Sequence, residues 1–192
     1  MPISNADLNE ALATLGALLL DRGEVHELVV IGGGGLMLLG LLQRPTKDLD
    51  IVARVQGELW IASEPLPASL VAAVQDVAGA LELPLDWLNA GPSDFMRSGL
   101  PDGFHERTTT RVYGSLTLQL ASRLDQIALK LFAAVDQGPR SRHFADLRHL
   151  APNPAELANA AGWCRAQDTS EAWAGMVDEV IEALGAKEPR RG

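Results

Sequence analysis

The chain has 192 residues, 47% of them apolar and 21% charged, with a formal net charge of −9. That is enough apolar material for one cored domain, or one domain with a helical appendage, while the acidic balance argues against non-specific DNA or RNA binding, which runs on positive charge. One cysteine, Cys164, excludes an intramolecular disulfide and a Cys-based zinc site.

The opening Met1-Pro2-Ile3-Ser4-Asn5 lacks the basic n-region of a signal peptide, so a cytoplasmic chain is expected. Ser4 or Asn5 is placed to cap a first helix, with Asp7 in the turn where the helix dipole favours an anion. Leu8, Ala11, Leu12, Leu15, Leu18 and Leu19 keep helical spacing, and Gly23 stops the helix.

Residues 28 to 53, LVVIGGGGLMLLGLLQRPTKDLDIVA, are the most informative stretch. Leu28 to Ile31 form a continuous apolar run, as in a strand buried on both faces. Gly32 to Gly35 form a turn with no side chains in the way of the backbone, and Leu36 to Leu42 read as a short buried helix. Arg44-Pro45-Thr46 ends it, because proline biases the residue before it away from helix. Asp48, Leu49, Asp50 and Ile51 then alternate, so on a strand both carboxylates share one face. Paired like charges repel, and a divalent cation removes that penalty. A glycine turn leading into a helix offers backbone N–H groups to a phosphate. A Rossmann fingerprint is absent: Gly-x-Gly-x-x-Gly started at Gly32 ends on Met37, and started at Gly33 ends on Leu38. The apolar run is also too short and too glycine-rich to span a bilayer.

Residues 56–66 read as a loop, and Pro67 opens a helix to about Leu83 with Leu70, Val71, Val74, Val77, Ala78 and Leu81 on its apolar face. Leu83 to Asn89 reads as a short third strand, with Leu85 and Trp87 on one side and Asp86 and Leu88 on the other. The alternative for Asp86 is a residue that turns the chain after Pro84. Residues 90–107 are rich in Gly, Pro and polar side chains and read as the longest loop, a lid or acceptor-binding segment. Arg97, His105, Arg107 and Arg111 lie in or near it. Thr108–Val112 and Leu116–Leu120 read as two strands around a Tyr113-Gly114-Ser115 turn.

From Ser122 the pattern is helical, with Leu124, Ile127, Ala128, Leu131, Phe132 and Val135 apolar and Lys130 beside them. Gly138-Pro139 ends that helix, and the basic run Arg140-Ser141-Arg142-His143 leads into another. Asn153 is placed to cap a helix to about Gln167, and Thr169 or Ser170 a last one. Residues 187–192 read as a frayed tail. His26, His143 and His149 are not spaced as a metal set.

Gly32-Gly33 after an apolar strand, followed by Arg44-Pro45-Thr46-Lys47-Asp48-Leu49-Asp50, resembles the signature of DNA polymerase β-type nucleotidyltransferases, and within them the bacterial AbiEii-type (MenT-like) proteins of toxin–antitoxin and phage-defence systems. The Ile-Ala-Leu-Lys-Leu string around Lys130, the basic break and the helix holding Asp146 are a weaker echo of the same pattern. The resemblance implies an α/β (α+β) fold, with a small mixed sheet, flanking helices and a C-terminal helical bundle. It divides the chain into a core over 1–120, a helical subdomain over 121–186 and a tail. It implies Asp48 and Asp50 as ligands of Mg²⁺ or Mn²⁺, with Asp86 as third carboxylate and general base. Gly32, Gly33, Arg44, Thr46 and Lys130 would contact the nucleoside triphosphate, and Asp146 would orient a basic partner or stand near the metal. The expected reaction moves a nucleoside monophosphate from the triphosphate to an acceptor hydroxyl, on a tRNA end or a partner protein. Gly32 to Gly35 carry no hydroxyl beside the glycine pair. That leaves open a silent nucleotide-binding module of the same fold, such as an antitoxin, and a small-molecule (aminoglycoside-like) nucleotidyltransferase is a further alternative.

Overall fold

The computed structural model describes residues 2–185, and the tail expected over 187–192 lies outside them. The chain divides into two compact units, Met1–Ser122 and Arg123–Gly192.

The first unit begins with helix α1, Asn5–Asp21. Ser4 caps it through the capping box expected of a Ser-x-x-acid pair: its hydroxyl oxygen accepts from the Asp7 N–H, while the Asp7 carboxylate accepts from the Ser4 N–H. Strand β1, His26–Ile31, runs straight into helix α2, Gly32–Leu38. Strand β2 is Leu49–Gln56 and β3 is Leu59–Ala62. Helix α3 is Ala68–Ala80, β4 is Leu88–Asn89, and the short helix α4 is Phe95–Ser98. Strands β5, Thr109–Tyr113, and β6, Leu116–Leu120, complete the unit.

These strands form one mixed six-stranded sheet in the order β3-β2-β1-β6-β5, with β4 also paired to β2. The β1–β6 and β2–β4 pairs are parallel and the others antiparallel. Strands β3 and β4 share one edge of β2: β3 takes Ala53–Gln56 and β4 takes Leu49–Asp50. One face of the sheet carries Leu28, Val30, Leu49, Ile51, Leu88, Leu116, Leu118 and Leu120, which form a core with Leu8, Leu12, Leu15 and Leu19 of α1 and Leu70, Val74 and Val77 of α3. Asp50 pairs with Ile31, one residue out of phase with that core, and so stands on the opposite face.

Two expectations about strands fail in this unit. Residues 56–66 are not all loop, because a turn at Gly57–Glu58 folds β3 back on β2. The short strand expected over residues 83–89 is cut to Leu88–Asn89. The Pro84 carbonyl accepts from the Trp87 N–H at 3.1 Å, closing a tight turn with Leu85 and Asp86 at its exposed tip. Trp87 is then fully buried, and its Nε1–H donates to the Val74 carbonyl at 3.1 Å.

The second unit contains α5, Arg123–Gln137, α6, Arg142–Leu150, α7, Pro154–Gln167, and α8, Glu171–Gly185. Ser141 caps α6, and Asn153 caps α7 in a capping box with Glu156. Arg123 ties the unit together: its guanidinium donates to Glu156 and, at 2.6 Å, to the Leu150 carbonyl. Phe132 packs between Trp163 and Trp173, with ring centroids 5.9 and 5.2 Å away. Among the described residues, no helix is long and apolar enough to cross a membrane.

Cys164 is fully buried, its Sγ 3.7 Å from the Ala128 carbonyl, and burial pushes the thiol up to about 12. The raised value means that the folded state holds the proton while the unfolded chain loses it. The stability this contributes is complete below the unfolded value of 9.0 and falls as pH rises from there toward about 12. Urea midpoints of the wild type are therefore expected to fall more steeply above pH 9 than those of Cys164→Ala. Parallel midpoint curves would contradict it.

Candidate functional site

The site grows from the junction of β1 and α2. The glycines do not form a separate turn before a helix, as expected; all four are the first residues of α2 itself. Glycine is a poor helix former, about 1 kcal/mol worse than alanine per position, so something else selects it here. Space is the reason. At Gly32, φ is +77°, a region that favours glycine, and a Cβ would stand 2.4 Å from Asp50 Oδ2. At Gly34 a Cβ would lie 2.7 Å from Leu49 Cδ1 and 3.0 Å from the Asp48 carbonyl oxygen. The start of β2 thus lies directly on the glycine backbone.

The basic loop before β2 packs on the same turn. A Cβ at Gly33 would meet Thr46 Oγ1 at 3.2 Å and Arg44 Nη2 at 3.7 Å. Thr46 is buried, and its hydroxyl donates to the Asp48 carbonyl at 3.0 Å. Its backbone is tied at both ends to Ile3: Ile3 N–H donates to the Thr46 carbonyl at 2.6 Å, and Thr46 N–H to the Ile3 carbonyl at 3.0 Å. Thr46 therefore acts as a clamp that holds the loop. Arg44 is exposed and lies over Gly33, with its Nη1 donating to the Pro45 carbonyl. Asp48 and Asp50 are both half-buried.

Of the expected residues, Gly32, Gly33, Arg44, Thr46, Asp48 and Asp50 are brought together in this one corner. Asp86 is not on the strand beside them. The residue paired with Asp50 on β4 is Asn89, which the sequence reading passed over. The signal lay in Pro84: a turn closed by its carbonyl moves the strand start from Leu83 to Leu88, five residues on, and with it the residue facing Asp50.

Lys130 and Asp146 belong to the second unit and pair with each other there, Nζ to Oδ2 at 2.9 Å, with side chains 5% and 1% exposed. That placement rules out a surface lysine reaching into solvent. Asp125 and Gln126, one turn earlier on α5, are also fully buried. Arg97 and Arg107 are occupied locally, the first by the Asp94 carboxylate and the second by the Asp102 carbonyl at 2.7 Å.

The donor set around Asp50 suits a hard cation, since Mg²⁺ prefers oxygen and is usually held by one or two carboxylates together with substrate phosphates. Among the described residues, no group of three or more His, Cys, Asp or Glu is gathered as a metal cage. The Asp50 carboxylate beside the glycine backbone, with Asp48 just ahead of it in the chain, suits a cation that arrives with a polyphosphate better than a protein-built cage. Compared with known proteins, the chain matches no family model, no curated protein and no solved structure.

Gly32→Ala is expected to lower stability by roughly 1–2 kcal/mol from the left-handed backbone alone, and more as the Asp50 carboxylate is displaced. Gly79→Ala, late in α3 with open space around it, is expected to raise stability by about 0.5–1 kcal/mol. Urea denaturation of the two variants separates local crowding from general helix propensity. In the second unit, Asp146→Ala is expected to cost about 3–5 kcal/mol, because it strands a buried ammonium. The double variant Lys130→Met, Asp146→Leu is expected to recover most of that loss. A double variant no better than Asp146→Ala would show that the pair is not the unit that matters.

Proposed function

We propose that the chain is a metal-dependent nucleotidyltransferase of the DNA polymerase β type, moving a nucleoside monophosphate from a nucleoside triphosphate to an acceptor hydroxyl. The observation that supports this best is the convergence on Gly32-Gly33 of the Asp50 carboxylate, the Arg44 guanidinium and the clamped loop carrying Asp48. Gly33, bare of a side chain, lies beside the Arg44 guanidinium, so an anion reaching that backbone would meet its charge. Arg44 offsets phosphate charge and is suited to it by its planar fork of N–H donors. Asp48 and Asp50 would hold Mg²⁺ or Mn²⁺, which when bound offsets the charge of the triphosphate. In the reaction, the acceptor oxygen forms a bond to the α-phosphorus and the bond to pyrophosphate breaks. The hydroxyl proton passes to a nearby base, for which Asp48 and Asp50 are the carboxylates at hand.

A second reading has one feature in its favour. The hydroxyl closest to the glycine pair, that of Thr46, is spent on the Asp48 carbonyl, which suits a module that binds nucleotide without turning it over. The acceptor for the first reading is a tRNA end, a partner protein or a small molecule.

Transfer of label from each of the four α-³²P nucleotides, with Mg²⁺ or Mn²⁺, is the direct measurement, using total tRNA, cell lysate or the protein alone as acceptor. Label in RNA or in a protein band is expected, and Asp48→Ala with Asp50→Ala is expected to abolish it while leaving the fold intact. An unchanged rate in that double variant would overturn the assignment of the carboxylates. No label, with thermal stabilisation by nucleotide and metal together, would establish the binding module or direct the search to small acceptors. Neither label nor stabilisation would overturn both readings.

A further inference from the structure

Strands β2 and β4 run parallel and in register, Leu49 opposite Leu88 and Asp50 opposite Asn89. Leu49 and Leu88 are both buried in the core shared with α1 and α3, so Asp50 and Asn89 stand together on the other face, on strands about 4.8 Å apart. A third carboxylate would be expected at this place from the resemblance, and an amide stands there instead. Asn89 is also fixed in position: its Oδ1 accepts from the Gly91 N–H at 2.8 Å. Held there, Asn89 presents a neutral amide: its NH₂ group can donate to an oxygen, and its carbonyl oxygen, already accepting from Gly91, is a weaker cation ligand than a charged carboxylate.

Resting on the nucleotidyltransferase reading above, we infer that Asn89 is the third side chain of the Asp48/Asp50 site, and that its neutral amide makes capture of the divalent cation depend on the polyphosphate. The protein supplies two carboxylates, and affinity for a hard cation rises with the number of charged oxygen ligands. Here the missing oxygens come from the nucleotide, so the cation enters as its complex with the triphosphate. The Asn89 NH₂ group is placed to donate to an oxygen of that bound group. Asn89 is thus a positioning residue that sets the order of binding.

Asn89→Asp tests this, because an aspartate can accept from the Gly91 N–H in the same way and adds one charged oxygen beside Asp50. Mn²⁺ is titrated into the full chain alone and followed by its EPR signal. Separately, the non-hydrolysable α,β-methylene analogue of ATP is titrated at fixed Mn²⁺ and followed by calorimetry. The wild type is expected to bind Mn²⁺ alone only weakly, and Asn89→Asp about tenfold or more tighter, given the added charged ligand. The nucleotide analogue is expected to bind wild type in the presence of Mn²⁺, and Asp50→Asn to lose that binding. If Asn89→Asp gains no Mn²⁺ affinity while Asp50→Asn still loses nucleotide, Asn89 does not face the site; the inference fails and the wider reading stands. If the wild type binds Mn²⁺ alone as tightly as Asn89→Asp does, dependence on the polyphosphate is overturned. If neither wild type nor Asp50→Asn binds the nucleotide analogue, the wider reading fails and takes the inference with it.

Discussion

The contact between the start of β2 and the backbone of α2 sets the geometry of the first unit's acidic corner. Leu49 and Asp48 press on Gly34, and Asp50 presses on Gly32, at distances that no side chain would allow. Four glycines in a seven-residue helix oppose helix formation by about 1 kcal/mol each, and isolated helices of that length do not form in water. The helix exists because β1 delivers it into a core in which Leu36, Met37 and Leu38 are buried. In turn, the bare helix lets the following strand approach. Close packing and acidic geometry are therefore one constraint, since any side chain on Gly32 would move the Asp50 carboxylate.

The loop between α2 and β2 is held from three sides. Thr46 is bridged to Ile3 ahead of α1, its hydroxyl holds the Asp48 carbonyl, and the Leu49 N–H donates to the Trp87 carbonyl at 2.6 Å. The N-terminal segment, the loop and the β4 turn are thereby joined by backbone hydrogen bonds that satisfy buried groups. Charged side chains carried by such a segment lose little freedom on meeting a ligand, which is what preorganisation requires.

The sequence was most legible where local chemistry decides the structure. Ser4 and Asn153 announced two helix starts, and both residues cap their helices. The alternation of Leu49-Asp50-Ile51 placed the Asp50 carboxylate away from the core, because a short strand obeys its own period; Asp48 stands just ahead of the strand. Legibility failed where partners distant in sequence decide. Residues 59–62 form a strand only because β2 offers its edge, and Leu59 remains exposed on it. Asp86 was a strand carboxylate by pattern and became a turn tip because burying Trp87 under α3 takes priority over extending β4. Asn89 was invisible as a site residue because its importance lies in register, which no local pattern encodes.

The pairing of β1 with β2 contains an irregularity: Val29 faces Ala53 while Val30 faces Ile51, so Val52 is an extra residue on β2. Ile51 and Ala53, which plain alternation would place on one side, consequently lie on opposite sides of the sheet. The bulge acts as a phase shifter between the two ends of one strand. It lets the hairpin end, paired with β3, and the acidic end, beside α2, each choose their face independently. Evolutionary change in length at the Gly57–Glu58 turn would leave the acidic end untouched. Loss of a single residue between Asp50 and Ala53 would instead force a choice, either rotating the carboxylates toward the α1–α3 core or slipping the hairpin by one position.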